Sequence, residues 1–408
     1  MTMETNLYER AMAALWLQRG DARALAAAAV AADPDAAAPR LLEAALLVTS
    51  RDVHDFAAAG WAYARLRGLP MSEQERAHTS ALEAAVDGDY ERACLVYDRI
   101  LLGAPTDALA LWTAQLMDYY LGNATAMRER SGRVLARWSA DMSGYHAVAS
   151  MHAFALQECG HYGTAEELAL RALEIEPRDL RAQHTLLHVY EMVGNAEDGM
   201  RWAGRHAPQW CGDAAVAHHL WWHTALFMTA LERPHGALAI YDLRLQQDSL
   251  AGLIDASALL WRLRLQGFDV GGRFATLAGR WAGHAEDAYC AFNDLHAMMA
   301  FAGAERWDLA QRLLAAQERR LARPGANRDM TRLVGYPACR ALLAFARGDF
   351  RSAEALLRSL PPVAHRIGGS HAQRDVLQLT RAAALARRSP ARTGETNVFA
   401  LPQRLAAA

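Results

Sequence analysis

Apolar residues recur at three- and four-residue spacings along most of the chain, and glycine or short polar turns interrupt them at intervals of one helix length. Alternation of β-branched residues with polar ones is nearly absent, so the pattern predicts helices and no sheet. A clear unit is AVASMHAFALQECGHYGTAEELALRALEIEPRD, residues 147–179. There Ala153, the turn residue Gly160, Tyr162, Ala165, Ala172 and Pro177 fall where a helix–turn–helix repeat of about 34 residues places them. Small residues let the two helices approach closely, and Pro177 cannot continue the second one. Weaker copies lie at 77–105, 181–213, 215–248, 287–321 and 336–362. Residues 8–70 read as helix pairs of poorer repeat quality, with a turn at Asp33, Pro34 and Asp35. The expected fold is therefore an all-α, tetratricopeptide-like solenoid of stacked helix pairs over 1–387. Breakers gather around Arg323–Gly325, and residues 388–408 lose periodicity and are expected to form a disordered tail.

Composition narrows the picture. Of 408 residues 52% are hydrophobic and 22% charged, enough apolar surface for a folded chain. A net charge of -2 argues against nucleic acid as a partner, since such binders concentrate positive charge. Every cation is Arg, because the sequence has no Lys; this excludes Schiff-base lysines and a phosphate loop ending in Lys. Cys94, Cys159, Cys211, Cys290 and Cys339 are scattered with no CxxC pair, which predicts reduced, mostly buried thiols. No apolar run approaches the roughly 18 residues of a membrane span and MTMETNLYER carries no apolar leader, so a cytoplasmic protein without membrane contact is expected.

Candidate chemistry rests on histidine. Ten of the 16 histidines lie in residues 146–235, where an even spread would put between three and four. In HTLLHVYE, His184, His188 and Glu191 share one helical face within about two turns. Two imidazoles and a carboxylate there suit a metal, or an oriented base whose tautomer Glu191 fixes in a neighbouring histidine. In HHLWWH, His219, Trp222 and His223 repeat that spacing; Trp222 is a core filler or a stacking surface for a ligand. Asn293, Asp294 and His296 interrupt the apolar helix of FNDLHAMMAF, which costs stability unless hydrogen bonds satisfy them; they tie repeats together or line a pocket. In GGSHAQRD, Ser370 and Gln373 spell a capping box, while His371, Arg374 and Asp375 place a base, a cation and a carboxylate on one face. Asp242, Asp255 and Arg262 read more simply as locks between repeats.

Together HTLLHVYEM with GMRW, HHLWWHTALF, IYDLRL, DASALLWRL, FNDLHAMMAFAG and GGSHAQRD resemble the tetratricopeptide-repeat protein 38 family, in order, from about Ala31 to Leu385. The resemblance implies the helical repeat fold and carries no established reaction or ligand with it.

Two functions follow as expectations. In the first, a concave pocket binds a small, anionic molecule and hydrolyses or deprotonates it, with His184, His188, Glu191, His219, His223, His371 and Asp375 as acid–base groups and Trp222, Asn293, Asp294, His296, Ser370 and Arg374 as binding groups. A divalent metal, where present, would take His184, His188, His219 and His223. In the second, the chain is a non-enzymatic scaffold that holds a peptide partner in its groove.

Overall fold

The computed structural model describes residues 6–388; of the tail expected at 388–408, Arg388 is helical and the rest lies outside the described residues. Among the described residues the fold is all-helical, with a single isolated β-bridge between Arg19 and Ala214 and no strand. Contacts divide the chain into two compact units, where the repeat pattern predicts one array. Among the described residues the first comprises 6–189 and His206–Ala217, the second Tyr190–Arg205 and 218–388.

The first unit runs through α1 (Leu7–Leu17), α2 (Ala22–Ala32), α3 (Ala37–Val48), α4 (Val53–Ala64), α5 (Glu73–Val86), α6 (Tyr90–Gly103), α7 (Ala108–Leu121), α8 (Ala124–Leu135), α9 (Tyr145–Glu158) and α10 (Tyr162–Ile175). Consecutive helices pack on one another: α1 on α2, α3 on α4, α5 on α6 and α9 on α10, and α3 also meets α5 as α7 meets α9. Alanine makes this possible. Ala81, Ala84, Ala85, Ala93, Ala110 and Ala114 are fully or almost fully buried where helices cross, and short side chains bring the axes close enough for Leu82, Tyr97 and Met117 to fill the space between. Helix starts follow local chemistry: Asn6, Asp21, Asp89, Asp107 and Asn123 each accept a backbone N–H of the turn they open. The turn between α9 and α10 needs a left-handed residue, and Gly160 supplies it at φ 80°.

Three helices follow, α11 (Leu180–Met192), α12 (Ala196–His206) and α13 (Ala217–Ala230). The second unit continues with α14 (Pro234–Arg244), α15 (Leu250–Leu265), α16 (Arg273–Trp281), α17 (Ala291–Gly303), α18 (Trp307–Leu321), α19 (Ala326–Met330), a π-helical turn Thr331–Gly335, α20 (Tyr336–Ala346), α21 (Phe350–Leu357), a 3-10 segment Pro361–Ile367, α22 (His371–Arg374) and α23 (Val376–Arg388). α15 packs on α17 and α17 on α20, with α16 against both α15 and α17. Its core holds Trp261, Trp281, Phe292 and Phe301, none more than 2% exposed. The α15–α16 pair has no counterpart among the repeat copies read from the sequence, because the QGFDVGG turn departs from the pattern and α16 is only nine residues long.

A period is visible in the bonds that tie one pair to the next. Arg23 to Asp55, Arg130 to Asp98, His146 to Asp179, His223 to Glu191, Arg280 to Asp248 and Arg388 to Glu354 all join residues 32 to 34 apart. That spacing is about the length of one helix pair. All five cysteines are free thiols, but the expectation of mostly buried ones is corrected: only Cys94 and Cys339 are buried, and Cys211 is exposed. No described helix is long and apolar enough to cross a membrane.

Candidate functional site

Helix α11 opens on Asp179, whose carboxylate accepts the backbone N–H groups of Arg181 (2.9 Å) and Ala182 (3.1 Å) and the Nδ1–H of His146 on α9 (2.9 Å). With its N-terminus fixed in this way, α11 lines up Arg181, His184 and His188 along one face. In the first unit the His184 and His188 rings lie 4.5 Å apart, edge to face. Phe154 of α9 stacks on His184 with centroids 5.7 Å apart and meets His188 edge-on at 5.5 Å. The aromatic wall fixes both imidazole planes, with His188 buried and His184 partly so.

The second unit holds a denser arrangement on α13. His219 Nδ1 lies 2.9 and 3.0 Å from the two carboxylate oxygens of Asp255 on α15, and His223 Nδ1 lies 2.9 Å from Oε2 of Glu191. A carboxylate only accepts, so each imidazole donates its Nδ1–H and carries the lone pair on Nε2. The two rings are 5.0 Å apart, edge to face, one turn from each other. His218 stands 3.7 Å from the same Asp255. Burial by itself would push the Asp255 carboxyl up, yet the imidazoles of His219 and His218 beside it and the His219 hydrogen bond outweigh it, and the group stays below its ordinary range. Burial pulls His218 the other way, below the usual imidazole range despite Asp255, which keeps it neutral near pH 7.

Trp222 lies within this group. It is 0% exposed, stacked on His219 at 5.2 Å with an interplanar angle of 11°, edge-on to His223 at 4.9 Å, and under the guanidinium of Arg262 at 5.5 Å. Three other tryptophans are as deeply buried, and each donates its indole N–H: Trp210 to Gln183, Trp261 to Thr380 and Trp281 to Ser257. The Trp222 indole N–H has no acceptor among the described residues. A dry N–H without an acceptor costs about 1–3 kcal/mol, so its presence among histidines calls for a functional reason.

Arg262 extends the arrangement to the GGSHAQRD segment. Its guanidinium donates to the carboxylate of Asp375 and the carbonyl oxygen of Ala372. The capping box is formed, with the Gln373 backbone N–H on Ser370 Oγ and the Ser370 backbone N–H on Gln373 Oε1. Gly369 touches Phe292 of α17 so closely that a Cβ would sit 2.3 Å from the ring, which is why the segment carries glycine there. Arg374 donates to the Gly369 carbonyl and His371 is exposed. On α17, His296 Nδ1 donates to the Phe292 carbonyl at 2.7 Å, Asp294 accepts from Gln317 Nε2 at 3.0 Å, and Asn293 is buried beside them. Burial foremost, with the Asp287 charge adding and the Gln317 bond subtracting, pushes the Asp294 carboxyl up to about 7.

Within the second unit the structure thus brings together His219, His223, Glu191 and Trp222, reaches Asp375 through Arg262, and sets His296 against Phe292 at 4.5 Å. Two residues matter more than their sequence suggested. Asp255 reads from sequence as a lock, and it is the carboxylate that orients His219. Its signal was a lone acidic residue in the middle of an apolar helix. Arg181 shares a face with His184 and His188, but a cation in a first helical turn reads as surface. Compared with models of known protein families, the chain matches none.

Proposed function

We propose that this chain is a tetratricopeptide-like helical-repeat protein, of the kind of the tetratricopeptide-repeat protein 38 family, that binds a small molecule at the histidines of α13 and moves a proton to or from it. The observation that carries the reading is the pair of imidazole–carboxylate contacts, His219 with Asp255 and His223 with Glu191, one turn apart on one helix. Each carboxylate fixes the tautomer and orientation of its ring and leaves Nε2 as the atom that takes a proton. Trp222 fits the same reading: its N–H awaits a hydrogen-bond acceptor that a bound molecule brings. His219 and His223 are the bases, Asp255 and Glu191 the positioning residues, and Trp222 the binding donor. A peptide scaffold needs none of these buried pairs, so the small-molecule reading is preferred.

The test is turnover of carboxylic and phosphate p-nitrophenyl esters by the full chain, with and without added zinc or manganese. We expect hydrolysis that falls by about 100-fold or more in the His219→Gln, His223→Gln double variant, the usual worth of a positioned general base. Turnover that survives the double replacement, or none on any ester in either condition, sinks the acid–base reading. Elemental analysis of wild type and the double variant tests the metal form, in which His219 and His223 are donors and their replacement removes the ion.

A further inference from the structure

The structure assigns to Arg181 the task of binding an oxyanion, a carboxylate or phosphate group, on the face of α11 that also carries His184 and His188. The assignment rests on residues of the first unit and does not depend on the chemistry proposed for α13.

Other arginines buried in this chain are spoken for. Arg130 is held by Asp98 and Asp118, Arg262 by Asp375, and Arg19 by Asp213 and two carbonyls. Arg40 grips the carbonyl of Pro34 twice. Arg181 is partly buried, and its guanidinium has no hydrogen bond or ion pair among the described residues; its Nε is wholly shielded and without an acceptor. The nearest carboxylate, Asp179, cannot serve it. Asp179 caps its own helix through the amides of Arg181 and Ala182 and takes the Nδ1–H of His146, so its oxygens are engaged. Burial accordingly drags the Arg181 guanidinium below its ordinary range, with Asp179 offsetting part of that.

A guanidinium whose Nε is shielded and left without an acceptor costs stability, and an arginine kept in that state has a partner of opposite charge and matching fork geometry in view. The surroundings narrow that partner to a small ligand group. His184, one turn along the same face, sets an imidazole beside it. Phe154, stacked on His184 and edge-on to His188, walls the position with an apolar ring. A cation and imidazoles on one face of α11, with an aromatic ring of α9 against the imidazoles, are the parts of a pocket for an anionic small molecule.

The experiment is thermal unfolding of the full chain in chloride buffer at constant ionic strength, titrated separately with orthophosphate and with succinate, for wild type, Arg181→Met and Arg181→Lys. We expect the wild-type midpoint to rise saturably with one of the two anions, which identifies phosphate or carboxylate as the group recognised. In Arg181→Met the apparent affinity for that anion should fall by at least about tenfold, with the lysine variant in between, because a point charge replaces a fork. Without anion, Arg181→Met should unfold at a higher temperature than wild type, since an unpaired buried cation has been removed; a purely structural arginine would move the midpoint down. The anion response decides. A wild type that shows no saturable response to either anion, or a methionine variant that responds as wild type does, overturns the assignment. Loss of ester turnover in the α13 variants with this response intact would leave it standing.

Discussion

Histidine meets carboxylate in both units, but the carboxylates differ. In the first unit, His78 Nε2 lies 2.7 Å from Asp107, and His146 Nδ1 lies 2.9 Å from Asp179. Both aspartates are helix N-caps whose other oxygen accepts backbone amides: Ala110 for Asp107, Arg181 and Ala182 for Asp179. These aspartates have a reason to exist without the imidazole, and the histidine staples one helix to the start of another. In the second unit, Asp255 sits in the middle of α15, beyond reach of any free helix-end amide, and faces His219 and His218. Burying a carboxylate there is costly, and the imidazoles are what offset the cost. The same pair of residue types is a structural staple when the acid is a cap and a tuned base when the acid is buried mid-helix.

The contrast breaks most sharply through activity. His219→Gln with His223→Gln should lower ester turnover by at least about 100-fold, whereas His146→Gln should leave the rate within about twofold. Next comes Asp255→Asn, which keeps the shape and removes the charge that orients His219. It should cost on the order of 100-fold in rate with the imidazole still present, most visibly as a displaced pH profile of turnover. If Asp255→Asn reduces stability and spares the rate, Asp255 is one more staple and the comparison collapses. Asp107→Ala should show the opposite signature: a loss of roughly 2 to 3 kcal/mol in urea unfolding, from a missing cap and an unpaired buried His78, with the rate unchanged.

These differences explain what was legible in the sequence. Helix pairs were, because their signals are local: apolar spacing, Gly160 at the turn, Pro177 after α10, the Ser370–Gln373 capping box. The histidine excess was also plain, and so was the face shared by His184, His188 and Glu191. The partner of His219 was not, since Asp255 lies 36 residues on and nothing in its neighbours separates a base-orienting acid from a lock. Trp222 reads as core because it is core, fully buried, and only the missing acceptor at its N–H sets it apart. Arg181 differs from the buried Arg19, Arg40, Arg130 and Arg262 by having no partner among the described residues, and absence of a partner leaves no trace in a sequence.

Asp294 sharpens the comparison with the smallest expected effect. Like Asp255 it is a buried helix carboxyl, 3% exposed, but a neutral amide, Gln317, stands where Asp255 has imidazoles. Burial then wins, and its carboxyl titrates at about 7 in the fold against an unfolded value of 3.8. A carboxyl raised on folding binds its proton more tightly in the native state. Its contribution is fully present below the unfolded value, declines as pH rises from about 4 to about 7, and is gone above that. Asn has no proton to lose. Asp294→Asn should therefore gain stability relative to wild type on going from pH 4 to pH 8, by on the order of 2 to 4 kcal/mol, because every pH unit separating the folded and unfolded values is worth about 1.4 kcal/mol. Urea unfolding of both proteins at the two pH values measures that difference directly. A difference that stays constant with pH would mean that Asp294 is ionised in the fold as readily as in the unfolded chain, and that burial beside a neutral amide does not separate it from Asp255.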